Sequence, residues 1–380
     1  MDLIEACEVG NLEEVKKLIE EGADIHIHSD WPISEAANYG HLDVVKYLVE
    51  KGANIHANDD EALRYAVGKE HWEVVKYLVE NGANIHAFND WALRYAVGKE
   101  HWEVVKYLIE KGANIHTEDD YALRWAARNG HLEVVKYLEK GANIHAFNEA
   151  LKGAAENGHL EVVKYLVEQG ADIHANDDYA LRSAVDIGYI DVVKYLVENG
   201  TNIHADDDWP LRWAAFKGHL EVVKYLVEKG ANIHAIDDWA LRWAAEFGYL
   251  EVVKYLVEHG ANIHANDDYA LKVAVEVGNL DIVKYLIEQG ANIHADDDYA
   301  LRSAVDIGYI DVVKFLLESG ADVRKVDFEG LVSKRKYREM LHLLLDVLSK
   351  EGLMLLLVSS NNRLRRAVKA YLRKRKVRWT

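Results

Sequence analysis

The feature that most constrains this chain is that it repeats itself. A Gly-Ala-Asn-Ile-type tetrad recurs at Gly22, Gly52, Gly82, Gly112, Gly141, Gly170, Gly200, Gly230, Gly260, Gly290 and Gly320, every 30 residues except for two steps of 29. One short step lacks a residue near Leu138–Glu139, the other near Asn148–Glu149. A fixed period of this length means one small unit made many times over, and it overrides any guess at domain number based on length.

Within a unit the pattern is helical. In the segment from Leu220 to Glu228, Leu220, Val223, Leu226 and Val227 fall on one helix face. Lys229 and Gly230 then supply a cation in the last turn and a glycine stop. Upstream, Asp237 and Asp238 precede a short helix rich in small residues, with Ala244 and Ala245, that ends at Gly248. This reads as an acidic N-cap followed by a helix. The unit is thus a helix–turn–helix with a Gly-Ala-Asn-Ile-His-Ala connector. A unit this small cannot bury its apolar face alone, so neighbours must stack into a solenoid with one continuous core. Eleven helix pairs fit before Gly320.

The stretch from Ala214 to Ile233, Ala-Ala-x-x-Gly-His-Leu-Glu-Val-Val-x-x-Leu-x-x-x-Gly-Ala-x-Ile, resembles the ankyrin repeat. The resemblance covers residues 2 to 325. It implies an all-α ankyrin-repeat solenoid over residues 1–330, with residues 331–380 as a helical cap and basic tail. It also implies a protein-interaction scaffold or adaptor that binds its partner on the concave face lined by the first helices. The usual period is about 33. The three residues missing here lie before the first helix, where the family carries a β-hairpin finger, so the fingers are expected to be shortened. The 30-residue form looks like the long ankyrin arrays of giant DNA viruses, which adds a viral, host-directed adaptor to the expectation. Pro32 and Pro210 share the column where the family has its Thr-Pro proline, a first-turn position that loses no hydrogen bond.

Composition narrows the class. Half the residues are apolar and 29% are charged. The single cysteine, Cys7, excludes an intramolecular disulfide framework and Cys-based metal sites. The longest apolar run, Leu353 to Val358, is too short to span a bilayer. The acidic N-terminus lacks the pattern of a signal peptide, and a reduced, intracellular and cytoplasmic setting is expected. The net charge of −19 conceals two opposite pieces. Residues 331–380 hold 14 Lys and Arg against three acids, and residues 1–330 hold 31 against 61.

Nothing in this pattern points to catalysis, a metal or a cofactor. Ten connector histidines form one column: His26, His56, His86, His116, His145, His174, His204, His234, His264 and His294. Neighbouring units stand about 10 Å apart, too far to share one ion. A structural bond to the next connector's backbone is the expected role. The recurring Asp pairs, such as Asp237-Asp238, are expected to cap helices and carry solvated charge. There is no phosphate-binding glycine loop, no paired nucleophile and base, and no HExxH.

The columns that vary among copies cluster on the first helix. They are rich in Trp, Tyr and Arg, the residue types enriched at binding hot spots. The expected partner-binding residues are Arg124, Trp125, Trp209, Arg212, Trp213, Phe216, Lys217, Trp239, Arg242, Trp243, Glu246 and Phe247. Packing between adjacent first helices is the competing role for these rings. Glu70 and Glu100 replace the glycine that ends the first helix elsewhere, so both are expected to sit in a strained left-handed turn.

After Gly320 the repeat decays. Residues 337–348 suit a cap. The end carries Arg363, Arg365, Arg366, Lys369, Arg373, Lys374, Arg375, Lys376 and Arg378 in a basic amphipathic pattern. Four roles stay open for it: a solvated tail, nucleic-acid or nuclear contact, an anionic membrane surface, or docking on the acidic repeats.

Overall fold

The computed structural model describes residues 1–139, 144–333, 338–348, 352–353, 356–357, 359 and 361–374. Eleven helix pairs run from Leu3–Glu8 with Leu12–Glu20 to Ala295–Ile307 with Ile310–Glu318, and no strand occurs among the described residues. They fall into two compact units, Met1–Ala180 and Leu181–Thr380. Within each unit, first helices pack on neighbouring first helices and second helices on second helices, as a repeat solenoid requires.

The core stripe is shifted from its expected phase. In Leu220–Glu228 the buried residues are Val222, Val223, Tyr225 and Leu226, while Leu220 and Val227 are half-buried. The helix must cover its own first helix and also the second helices on either side of it, so its buried arc centres on the Val-Val pair. Tyr225, Tyr255 and Tyr285 donate their hydroxyls to Lys194, Lys224 and Lys254 carbonyl oxygens 31 residues earlier. Each tyrosine thereby ties one second helix to the previous one. Leu226 is fully buried; truncating such a leucine to alanine costs about 2–5 kcal/mol.

The entry to the first helix differs from a capped start. Asn58, Asp59 and Asp60 have φ of 51°, 56° and 57°, forming a left-handed turn before the right-handed helix begins. The same three-residue turn recurs in nine repeats, from His28–Ser29–Asp30 to Asp296–Asp297–Asp298. Left-handed backbone costs L-residues roughly 1–2 kcal/mol each, and Asn and Asp tolerate it best. The connector is rich in these residues for that reason. Glu70 and Glu100 have φ of 66° and 62°, in line with the expected strained turn.

Compensation for the turn comes from its third residue. Asp238, 4% exposed, accepts hydrogen bonds at Oδ1 from His234 Nδ1 at 3.1 Å and from the Asn262 backbone N–H at 2.7 Å. Asn262 Oδ1 in turn accepts the His264 N–H at 3.0 Å. Equivalent bonds join Asp60 to His56 and Asn84, and Asp268 to His264 and Asn292. Two expectations are corrected here. At Asp60, Asp208, Asp238, Asp268 and Asp298 the second Asp of the pair does not cap a helix but bridges to the next connector, and the histidine holds that carboxylate rather than reaching the next connector itself. Asn148 takes the Asp role in its own repeat, accepting from the Asp172 N–H at 2.8 Å.

After the last pair, Arg338–Val347 packs on Ile310–Glu318 with Met340, Leu341, Leu344 and Leu345 buried, which closes the end of the array. Tyr337, Leu355 and Val358, part of the expected cap, lie outside the described residues. Among the described residues, no helix is long and apolar enough to cross a membrane.

Candidate functional site

The variable columns of the first helix meet on one face. In the second unit, Trp209 stacks on Trp213 at 5.2 Å between ring centres, and Trp239 lies 4.4 Å from Trp243. Phe216 joins them, 4.7 Å from Trp213, 5.0 Å from Trp243 and 4.6 Å from Phe247. Five of the rings are half-buried, and Phe247 is 48% exposed. The helical period explains the grouping: residues four apart on one helix stack, and residues 30 apart face each other across adjacent first helices. Packing between first helices and outward exposure therefore coexist in one cluster.

Polar groups fix its edge. Trp213 donates its indole N–H to Asp186 Oδ1 at 2.6 Å, and Lys217 Nζ lies 2.9 Å from the same oxygen. Partial burial pushes the Asp186 carboxyl up, but the bonds from Lys217 and Trp213 outweigh it and hold its pKa below the ordinary carboxylate value. Lys217 also sits over the Trp213 ring at 5.4 Å. Glu246 is half-buried between Trp243 and Phe247 in the chain.

The arginines have a job that the sequence reading missed. Arg212, 6% exposed, donates Nε and a terminal nitrogen to the Asp207 and Asp206 carbonyl oxygens at 2.9 and 2.6 Å. Arg124 does the same to Asp119 and Glu118, at 2.9 and 2.7 Å. The left-handed turn turns these carbonyls toward the helix that follows, and the planar guanidinium fork suits two of them at once. Arg212 also covers the Trp239 ring at 4.9 Å, and Arg242 the Tyr269 ring at 4.6 Å. Arg212 and Arg124 thus brace the turn, Arg212 and Arg242 back aromatic rings, and Arg242 Nε is buried with no hydrogen-bond partner among the described residues. Burial lowers the Arg212 pKa despite the neighbouring aspartates.

In the first unit, Arg124 and Trp125 line a cavity of about 380 Å³ together with Tyr121, Arg128, Glu149 and Glu156. Gly153, which stands in the column that holds Tyr95 and Trp125 in earlier repeats, also lines it, and a Cβ there would come within 3.3 Å of Arg128 Cβ. Trp125 also walls a second cavity, about 280 Å³, with Trp91 and Tyr95. Its indole N–H is buried with no hydrogen-bond partner among the described residues.

At the C-terminus, Arg363, Arg366, Lys369, Arg373 and Lys374 are exposed on the helix Asn362–Lys374, and half-buried Arg365 donates to Asn362 Oδ1. Arg375, Lys376 and Arg378 lie outside the described residues. Cys7 is buried, and burial, with Asp2 and Glu35 nearby, pushes its thiol up to about 12, which suits a packing residue and not a nucleophile. The described residues hold no group of three or more His, Cys, Asp or Glu placed to bind a metal ion.

A family model for ankyrin repeats (three copies per match) fits residues 3–89, 85–148, 151–237, 181–267 and 241–327. No individual characterised protein is similar enough to the chain to match it.

Proposed function

Because the chain belongs to the ankyrin-repeat family, whose repeats are generally protein–protein interaction modules, we propose that it is a non-catalytic adaptor that docks a partner protein on its first-helix face. In this reading residues 1–330 present the docking face, and residues 331–380 close the array and add a basic helix.

The observation that carries the reading is the ring cluster from Trp209 to Phe247. Six large aromatic side chains meet on one surface, although the fold already has a complete Val, Leu and Ala core beneath them. Tryptophan and arginine-backed aromatic patches are the composition of binding hot spots, and a partly exposed apolar cluster of this kind, with Phe247 outermost, supports an interaction site. The wide sequence variation of this column among copies, against fixed core columns, supports the same surface.

A photo-crosslinking amino acid placed at position 247 should trap a partner from a lysate. The same group at Glu221, exposed on a second helix, should not. Equal trapping at both positions would defeat the assignment of the face.

A further inference from the structure

We propose that the helix Asn362–Lys374 is a docking surface for the phosphate backbone of duplex nucleic acid. This surface is separate from the aromatic face, and its success or failure is independent of that reading.

The helix is divided lengthwise. Leu364, Val368, Tyr371 and Leu372 are buried, and the helix packs on Phe328–Ser333 and Arg338–Val347. Tyr371 donates its hydroxyl to Asp346 and its ring lies 5.8 Å from His342. On the opposite side stand Arg363, Arg366, Lys369, Arg373 and Lys374, all exposed. Among the described residues no carboxylate pairs with any of the five.

Geometry favours a phosphate polymer. At about 1.5 Å per residue the cation stripe is about 16 Å long, with Arg363, Arg366, Lys369 and Arg373 three or four residues apart and Lys374 next to Arg373. Duplex DNA carries one charge per ~1.7 Å of its axis, so several phosphates come within reach of a stripe of this length. A bilayer is the poorer occupant, because an interfacial helix needs its apolar face free to enter the lipid, and here that face is used against the cap. Single strands are also disfavoured. Their binding draws on exposed aromatic platforms, and Tyr371, the helix's one ring, is 7% exposed. The acidic repeats repel a polyanion while the basic end attracts it, which orients the encounter.

The test is fluorescence anisotropy of the full chain with a labelled duplex of about 20 base pairs, titrated between roughly 50 and 200 mM salt. Binding should weaken steeply with salt and depend little on base sequence. The triple variant Arg366→Gln/Lys369→Gln/Arg373→Gln should reduce the magnitude of the log–log salt slope by about 2.7. Its thermal melt should match wild type, because only exposed side chains change. If the triple variant unfolds, Lys369→Gln/Lys374→Gln serves instead, with an expected reduction of about 1.8. Three results overturn the proposal: no salt-sensitive binding by the wild type, an unchanged slope in the folded variants, or tighter binding to phosphatidylserine vesicles than to duplex at equal phosphate.

Discussion

Asp238 accepts the backbone N–H of Asn262, 24 residues further on, at 2.7 Å while its own ring partner, His234, holds the same oxygen at 3.1 Å. One buried carboxylate thus closes a left-handed turn and couples it to the next repeat. Replacing Asp238 by Ala leaves a buried donor unpaired, at a cost of about 1–3 kcal/mol. Asp238→Asn should cost clearly less, since Asn148 makes the equivalent bond in its own repeat. Urea midpoints of the two variants check this; equal losses would mean that the bond contributes little.

Ile236 opens that same turn at φ 49°, a conformation poorly suited to a β-branched residue, where other repeats have Asn58, Asn176 or Asn266. Because Ile236 is 42% exposed, little packing is lost on replacing it. Ile236→Asn should stabilise the chain by about 1 kcal/mol, read as a higher urea midpoint with an unchanged slope. A lower midpoint would contradict the left-handed turn.

Glu70 stands at φ 66°, where Gly10, Gly40 and Gly130 have φ between 72° and 78°. Its carboxylate approaches His101 Nε2 at 3.3 Å, and His101 lies 4.6 Å from Trp72. The Glu70 side chain is 44% exposed and His101 Nε2, though buried, makes no hydrogen bond among the described residues, so the contact is worth about 1 kcal/mol. Glu70→Gly should therefore raise stability by about 0.5–1 kcal/mol through relief of the turn. Destabilisation would show that the Glu70, Trp72 and His101 group is a stronger unit than its geometry suggests.

Asp186 has a depressed folded-state pKa. Its bonds to Lys217 and Trp213 therefore add stability above the ordinary carboxylate value, near pH 4, and that stability is lost as pH falls through the folded value. Asp186→Asn should lower the urea midpoint near neutral pH and converge with wild type in acid. Trp213 fluorescence should shift over the same acidic range in the wild type alone. A pH-independent gap between the two proteins would contradict the ion pair.

Much of this was legible from the residues alone because eleven copies vote on each column. The helix pairs, the glycine stops, the strained Glu70 and Glu100 and the aromatic column all follow from period and residue type. The left-handed turn was hidden because Asn and Asp serve equally at helix caps and in left-handed backbone, so Asp237-Asp238 read as a cap. The bracing role of Arg212 was hidden for the same reason. Arg212 has carbonyls to grip only if the turn winds left-handed. The cavity beside Trp125 is lined by Gly153, whose close approach to Arg128 emerges only once the two helices are seen packed together.

Docking through the first-helix face is the central claim, and Phe247 tests it most directly because it is 48% exposed and, among the described residues, its one ring contact is Phe216. The decisive measurement is quantitative capture of partner protein from lysate by immobilised wild type, Phe247→Glu and the second-helix control Glu221→Lys. Loss of about 2 kcal/mol at a hot spot is roughly 30-fold in affinity, so Phe247→Glu should lose capture at that scale while Glu221→Lys retains it and both melt like wild type. Full capture by a folded Phe247→Glu protein, with loss in Glu221→Lys, would place the partner on the other face.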